Sequence, residues 1–502
     1  MININNVSPE AKKLLQDGLL LDTTEALALQ TSNNYDFARR IVQEIALING
    51  GQMIKHLNVG QLDRATSHAG LYAPPGLGKD FGWKIAASSG IFPSDALRMT
   101  KLENVTEAAL SGSLNEITIV PPPTVTEDLI FVGEYATLNR GSQAASISAD
   151  MRAILESGEY TRRMVKIGLL KEILHTKPDS PQANYIQEQL VSCAKLGMTI
   201  DLDKCQISIK STTSWIVSSA KFGSETHYGR SLLSMGDINR YRWISYLPER
   251  EERLNITSQI GSLPPIIVDT ERRKTCKEAW SILFKNMRNN STGLVVPRDE
   301  QSYYSRQKVW EDTQKLSVDT YFMELTNEIY FNQLVNMRTR AEFTRLMYQH
   351  AVLKQFARNS GCDFGLPEKF VIDYDEDGEF AKEYWVNEYV PSMIDLISDV
   401  LSNSETQPRS SRVTLTSKIT STVVERLRKG PAKREELIAM LDSSGIKPYL
   451  LDTQVLPILL KYGIIKRTEF GIYALTEDAD IRLKSLEKSK KPFVERITYR
   501  KD

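Results

Sequence analysis

The feature that most restricts the fold is a turn between an apolar run and a helical pattern, in the sequence AGLYAPPGLGKDFGWKIAA at residues 69–87. The run AGLYA suits a buried strand, and the PPGLG segment after it suits a sharp turn. Gly76 and Gly78 let a backbone approach a ligand closely, and the amino end of the following helix favours an anion. Lys79 would supply the cation. The pattern therefore predicts a phosphate-binding loop in an α/β fold, and an ordinary strand–turn–helix with a chance Gly-Lys pair is the alternative.

Two positions depart from the phosphate-loop pattern G-x-x-x-x-G-K-[ST]. Ala73 replaces the first glycine, and Asp80 replaces the hydroxyl residue that would bind magnesium. A carboxylate is a hard oxygen ligand, so Asp80 is the hypothetical magnesium ligand. It also lies near the β-phosphate position, where the two negative charges would repel each other without a metal. The predicted ATP-binding residues are Pro75, Gly76, Leu77, Gly78, Lys79 and Asp80.

A second apolar run ends in an acid, in the sequence TEDLIFVGEYATL at residues 126–138. Hydrolytic nucleotide sites use one acid for magnesium and another to activate water. Gly133 stands at the first of these positions and Glu134 at the second. We therefore expect Glu134 to be catalytic and the magnesium-binding carboxylate to be missing. Three outcomes stay open: a site rewired around Asp80, a site that binds nucleotide but hydrolyses it weakly, and a dead site.

The remaining pattern indicates a sheet covered by helices and a separate tail. Between residues 70 and 248 the apolar runs GLYAP, ITIVPPP, DLIFVGE, TIDLDKCQISI, SWIVSSA and RWISYLP alternate with helical stretches. Runs bounded by Gly or Pro suit strands buried in a sheet with helices on its faces. Residues 10–60 and 270–359 have helical periodicity.

The polar segment SNSETQPRSSR, residues 402–412, reads as a linker to the tail. Three short helical patterns and two strands turning near Glu469–Gly471 follow it. This order predicts a winged helix-turn-helix, with a helical protein–protein module as the alternative. Pro457 lies inside the third helical pattern and should kink that helix or mark its real start.

Charge and cysteine content limit the function classes. The 502-residue chain has a net charge of zero, so no whole-chain field steers it toward nucleic acid. Acidic residues dominate residues 361–407 and basic residues dominate after 408, which fits a basic tail module or simply a solvated surface. The four cysteines form no CxxC pair, as is typical of a reducing cytosol. No apolar run is long enough to cross a bilayer, so we expect a cytoplasmic protein without a membrane partner.

Taken in order over roughly residues 37–360, these segments resemble the AAA+ motor of the minichromosome maintenance (MCM) helicases. The matching segments are ARRIVQEIALINGG, APPGLGKD, LIFVGEYATL, SISADMRAILESGEYTRRM, TIDLDKCQISIKSTTSWIVSSAKFG, NRYRWISYLP and RTRAEFTRLMYQHAVLKQFA. Three features depart from the family. Ala220 stands at the polar first-sensor position, residues 164–198 form an unusually long helical insertion, and little chain precedes Phe37 to form the family's N-terminal domain.

The resemblance implies roles for residues far from the loop. Arg240 would be the arginine finger, which reaches the nucleotide of a neighbouring subunit. Arg338 or Arg340 would occupy the second-sensor position on the lid, from which Arg338 would act on the nucleotide. The hairpin would project a DNA-contacting lysine, for which Lys204 lies near the turn and Lys210 near the base; a solvated turn lysine is the alternative.

The resemblance also implies the fold and the organisation of the chain. We expect an AAA+ P-loop sheet with helices on both faces, a helical lid and a C-terminal winged helix-turn-helix. The expected domains are an ATPase core at residues 1–262, a lid region at 263–401, the linker at 402–412 and the winged helix at 413–502.

The function implied is an ATP- and Mg²⁺-dependent motor that acts on DNA in replication as a homo-oligomeric ring, such as a hexamer. Its ATPase or helicase-type activity would use altered magnesium ligands. Two alternatives remain: a DNA-binding initiator or loader that nucleotide controls with weak or no hydrolysis, and a regulatory subunit in another protein's ring.

Overall fold

The computed structural model describes residues 7–28, 35–54, 65–94, 97–103, 105–134, 144–219, 238–248, 251–254, 269–290, 295–358, 370–404, 422–443, 451, 455–461, 464–469 and 471–479. They fall into two compact units. The first unit comprises described residues from 1–222, 227–312 and 333–396, and the second comprises those from 313–332 and 397–502.

The described strands are β1 (Ala69–Tyr72), β2 (Met99–Leu102), β3 (Ser113–Asn115), β4 (Thr118–Val120), β5 (Leu129–Val132), β6 (Glu159–Arg163), β7 (Met198–Asp201), β8 (Gln206–Lys210), β9 (Ser214–Ser219), β10 (Arg242–Ser245), β11 (Val295–Pro297), β12 (Phe370–Ile372), β13 (Ala432–Lys433), β14 (Ile465–Glu469) and β15 (Ile472–Leu475).

The helices span Pro9–Asp17, Leu19–Ala28, Tyr35–Gln52, Lys79–Ser88, Glu107–Ser111, Pro123–Thr126, Ala144–Ser157, Ile167–Thr176, Pro181–Lys195, Thr270–Asn290, Glu300–Thr320, Phe322–Leu325, Glu328–Leu334, Met337–Leu353, Gln355–Arg358, Glu376–Tyr384, Val390–Ser404, Arg434–Ser443 and Leu456–Lys461, and residues 422–428 are also helical. Ile238–Arg240 forms a 3-10 turn. Trp385–Tyr389 forms one turn of π-helix, which leads directly into the α-helix that contains Pro391.

The centre of the first unit is a five-stranded sheet in the order β10-β1-β9-β5-β2. All four pairings are parallel, so the strands end together at one edge, the carboxyl edge, and begin together at the opposite amino edge. Every residue of β1, β5, β9 and β10 is buried. Helices flank the sheet, as continuous apolar strands require. The expectation of an α/β fold, in which helices cover a sheet of buried strands, is therefore confirmed.

The sequence did not predict the membership of the sheet completely. Four of the predicted apolar runs supply β1, β5, β9 and β10. The run ITIVPPP instead supplies β4, which among the described strands pairs with β3 alone, in a separate hairpin. The fifth strand of the central sheet is instead β2, from the sequence MTKL. It lies at the edge of the sheet and is half-buried, so it has no continuous apolar signature.

A three-stranded antiparallel sheet stands apart from the central one, in the order β6-β8-β7. Its middle strand, β8, pairs with β7 through a tight turn and with β6 on its other side. The insertion predicted at residues 164–198 lies between β6 and β7 and contains the helices Ile167–Thr176 and Pro181–Lys195. It therefore interrupts what would otherwise be a simple β6–β8 hairpin.

A buried charge network fixes helices of the first unit to the sheet. Arg242 of β10 has no exposed side-chain surface and donates to Glu44 at 2.8 Å through Nε. It also donates to Gln349 at 2.7 Å, and Tyr384 donates to the second oxygen of Glu44. Because the two charges pair directly and both take part in further hydrogen bonds, the pair is tolerated in the core, although Nη1 of Arg242 is buried without a hydrogen-bond partner among the described residues.

The second unit has its own apolar core, made by helix 422–428, the helices Arg434–Ser443 and Leu456–Lys461, and a small antiparallel sheet in the order β13-β15-β14. The strands β14 and β15 turn near Glu469–Gly471 as predicted. Pro457 lies in the first turn of the α-helix Leu456–Lys461, where a missing N–H is tolerated, and the residue before that helix, Val455, is π-helical. Across the described residues, no helix is both long and apolar enough to cross a bilayer.

Candidate functional site

The loop between β1 and the helix Lys79–Ser88 has the backbone that an anion site needs. Gly76 and Gly78 have φ values of +81° and +84°, in the left-handed region that favours glycine. Leu77 between them is buried and anchors the loop, whereas Pro75 and both glycines are exposed. The loop therefore presents backbone to solvent at the amino end of the helix.

Lys79 folds back over this loop. Its Nζ donates to the carbonyl of Ala73 at 2.6 Å and to that of Pro74 at 3.3 Å. Burial lowers the pKa of Lys79, and the nearby carboxylates of Glu134 and Asp80 oppose that effect. The ammonium group is thus held at the loop by neutral carbonyls, in the electrostatic field of both predicted acids.

The predicted base and the loop lie at the same edge of the sheet. Glu134 follows the carboxyl end of β5, and the loop follows the carboxyl end of β1. One strand, β9, separates them, so the two strand axes are about 10 Å apart. The last residue of β9, Ser219, accepts from the Ala73 N–H at 3.3 Å. This spacing leaves room for phosphate groups and a water molecule between the loop and the acid.

A lysine that was not predicted from the sequence lies next to Gly133, the position where a magnesium-binding carboxylate is absent. A Cβ atom built on Gly133 would lie 3.3 Å from Cε and 3.6 Å from Nζ of Lys101 in β2. Lys101 also pairs with Glu103 at 2.9 Å. Only the parallel pairing of β2 with β5 could have indicated this contact, and β2 was not recognised from the sequence.

The acids at this edge suit a magnesium ion that arrives with its nucleotide. Among the described residues, no group of three or more His, Cys, Asp or Glu side chains could hold a metal ion. Magnesium in nucleotide sites is held by one or two carboxylates together with phosphate oxygens and water. Asp80 is exposed beside Lys79 and fits that requirement, because a preformed protein cage is not needed.

The two predicted arginines lie at the opposite edge of the sheet. Arg242, which begins β10, pairs with Ala69, which begins β1, so Arg240 lies beyond the amino edge. Four strand residues, about 10 Å, and the flanking turns separate it from the loop of its own chain. Arg240 is therefore too far from the loop of its own chain to contact a phosphate group bound there.

The structure brings Arg240 and Arg338 together on one carboxylate. Arg240 Nη2 donates to Oε2 of Glu156 at 3.0 Å, and Arg338 Nη2 donates to Oε1 of the same residue at 2.6 Å. Glu156 lies in the last turn of the helix Ala144–Ser157, which returns to the amino edge, where His68 contacts the carbonyl of Leu155 at 3.2 Å. No sequence signal pointed to Glu156.

Arg338 owes its place to the start of its helix. The Asn336 side chain accepts from the backbone N–H groups of Arg338 and Thr339, which forms a capping box. Arg340, the other candidate for the second-sensor position, is exposed. The first-sensor position, Ala220, and the part of the linker from residue 405 lie outside the described residues.

Both candidate DNA lysines are exposed, and each is near an acid. Lys204 lies in the β7–β8 turn and pairs with Asp201 at 3.3 Å. Lys210 ends β8 and lies 3.9 Å from Glu159. Because exposed pairs of this kind are weak, the acids reduce the local attraction for phosphate without preventing contact.

Comparison of the sequence with models of protein families finds no match. A search of curated proteins likewise finds no similar sequence.

Proposed function

We propose that the chain binds ATP with Mg²⁺ at the β1 loop and hydrolyses it as an AAA+ protein of the MCM type. The observation that carries the proposal is the carboxyl edge of the sheet. There a loop with two left-handed glycines, the Lys79 ammonium and Glu134 face the same space. Phosphoryl transfer depends mainly on positioning and charge neutralisation, and these are the groups that supply both.

Each residue has a defined task in this proposal. Lys79 holds the β- and γ-phosphates after leaving the loop carbonyls, and Asp80 contributes a carboxylate oxygen to magnesium. Glu134 orients and deprotonates the attacking water. Arg240, together with Arg338, neutralises the terminal phosphate bound by a second copy of the chain. An arginine in that role is worth about 10³–10⁵ in rate.

Action on DNA is the further part of the proposal. The second unit supports it, because its order of helix, strand, two helices and hairpin fits the winged helix-turn-helix predicted from the sequence. Lys204 and Lys210 on the β6-β8-β7 sheet are the candidate contacts in the ATPase core. A homo-oligomeric ring that moves on DNA in replication would use both parts.

The second candidate function is a nucleotide-controlled initiator, loader or regulatory subunit with weak hydrolysis. Lys101 favours this candidate, since its ammonium lies beside Gly133 in place of a carboxylate for magnesium. ATP binding would then govern assembly, and turnover would contribute little.

Calorimetry and turnover measurements separate these functions. Wild-type protein and the Lys79→Met, Asp80→Ala and Glu134→Gln variants are titrated with ATP and magnesium, and phosphate release is followed under the same conditions. A motor binds and hydrolyses ATP, loses binding with Lys79→Met and loses turnover with Glu134→Gln. Binding without turnover identifies the second candidate function. Absence of ATP binding by the wild type refutes both.

A further inference from the structure

Arg240 and Arg338 at the amino edge both bind the carboxylate of Glu156. The two oxygens of the Glu156 carboxylate are divided between Arg240 and Arg338, so one carboxylate bridges two guanidinium groups. Arg338 also reaches the same oxygen through Nε, at 3.2 Å. A phosphate group held between two arginines is bound by the same kind of charge-assisted hydrogen bonds.

The three side chains differ in how exposed they are. Glu156 is half-exposed and Arg338 is 42% exposed, whereas only 7% of the Arg240 side chain is exposed. A phosphate group from another molecule must therefore displace the Glu156 oxygen that accepts from Arg240 Nη2 before it can take that donor. Because Glu156 is half-exposed in the last turn of its helix, a change of rotamer can move the carboxylate away from Arg240.

We propose that Glu156 occupies the phosphate site of the Arg240–Arg338 pair in the isolated chain, and that the terminal phosphate of a nucleoside triphosphate held by a second copy displaces it. The inference rests on the proposed function, since it needs a nucleotide in the loop of that second copy. It adds an internal competitor, which sets how readily one copy accepts the nucleotide of another.

Charge explains both why Glu156 sits there and why it can be displaced. Two guanidinium groups and one carboxylate leave a net charge of about +1, and without the carboxylate the two like charges would be unbalanced. A terminal phosphate carries more negative charge and more acceptor oxygens than a carboxylate, so it competes effectively for both arginines. ADP lacks this terminal phosphate, so ADP bound to a second copy is not expected to displace Glu156 from the two arginines.

Burial alone would raise the pKa of Glu156, but the hydrogen bonds from Arg338 and Arg240 outweigh that effect and lower it. The competitor is therefore charged throughout the neutral pH range.

The test is the self-association of the purified full-length chain, measured by sedimentation velocity over a range of concentrations. It is run with magnesium and either a non-hydrolysable ATP analogue or ADP. The variants are Glu156→Gln, Arg240→Ala and the double variant. Glu172→Gln is the matched control, because Glu172 is an exposed glutamate on another helix of the same unit.

Removing the competitor is expected to strengthen association with the ATP analogue by about three- to tenfold, the scale of one or two exposed ion pairs. Association with ADP should be unchanged, as should that of Glu172→Gln. Arg240→Ala should weaken analogue-dependent association, and adding Glu156→Gln to it should then have a reduced effect, because the two residues act on one contact.

Four results would overturn the inference. Glu156→Gln could weaken association, which would make Glu156 a structural support. Glu156→Gln could strengthen association as much with ADP as with the ATP analogue. It could also strengthen association as much in the Arg240→Ala background as in the wild type. Wild-type protein could also bind ATP by calorimetry without any analogue-dependent association, in which case the nucleotide site stands and the role of Glu156 fails. Failure of the proposed function is a separate result, namely no ATP binding by the wild-type loop.

Discussion

Replacing Lys79 by Met tests whether the lysine serves the fold or the ligand. In the absence of nucleotide its ammonium donates to two neutral carbonyls, those of Ala73 and Pro74. Each such bond contributes about 1 kcal/mol net, and the partly buried charge costs a similar amount in lost hydration. Methionine keeps most of the apolar stem and removes the charge. The free energy of unfolding of Lys79→Met should therefore lie within about 1 kcal/mol of the wild-type value.

The same substitution should have a large effect on nucleotide binding. Two charge-assisted bonds to phosphate oxygens are worth about 3–6 kcal/mol in total. The wild-type protein must first give up the carbonyl contacts, which offsets about 1–2 kcal/mol of that gain. The difference of about 2–4 kcal/mol corresponds to a loss of affinity of roughly 30- to 1000-fold.

The pH dependence of stability gives an independent check on Lys79. Since burial lowers its folded-state pKa below 10.5, the unfolded chain holds this proton to a higher pH than the folded chain does. Stability of the wild type relative to Lys79→Met should therefore rise with pH through the alkaline window below 10.5 and level off above it.

The measurements are urea unfolding without nucleotide, at several alkaline pH values, and calorimetric titration with ATP and magnesium. Lys84→Met is the matched control, because Lys84 is an exposed lysine of the same helix. A Lys79→Met variant that is strongly destabilised without nucleotide, or that keeps ATP affinity within threefold of the wild type, would refute the reasoning.

Three further substitutions or modifications test the packing around the sheet. Arg242→Met should cost about 3–5 kcal/mol in urea unfolding, because it leaves Glu44 buried without its cation. Gly70→Ala should cost about 1–3 kcal/mol or more, since its Cβ would lie 2.3 Å from the Trp243 ring, and a midpoint equal to wild type would contradict that packing. Burial raises the pKa of Cys276 to about 12, so mass spectrometry should find it unmodified by iodoacetamide at pH 8 until urea is added.

The carboxyl edge of the sheet was predictable because its signals are local. The loop at Gly76–Lys79 and the acid at Glu134 each follow an apolar run that could be read as a buried strand, and parallel strands end at one edge. The edge strand β2 was not predictable, since its sequence MTKL is half-buried and lacks an apolar run. Lys101 was missed with it, which hid the contact at Gly133.

The amino edge was only partly predictable, for a different reason. Arg240 and Arg338 could be assigned from a resemblance, but their common partner could not. Glu156 lies 84 residues from Arg240 and 182 residues from Arg338 in sequence, and neither spacing corresponds to a helix or strand period. Only the tertiary fold, which returns the helix Ala144–Ser157 to the amino edge, places the three side chains together.

The arrangement of the sheet limits how copies of this chain could share a nucleotide. The loop and Glu134 lie at the carboxyl edge, whereas Arg240 and Arg338 lie at the amino edge. A contact that joins one edge of a copy to the other edge of the next is heterologous, so it leaves an unused loop at one end and an unused arginine pair at the other. Repeating that contact gives a closed ring if the rotation between copies closes, and a filament if it does not. A symmetric two-fold dimer that completed both nucleotide sites would have to bring both edges of both sheets into contact at once. Parallel strands put these edges at opposite ends of the sheet, so the proposed use of Arg240 and Arg338 favours a ring or a filament over a two-fold dimer.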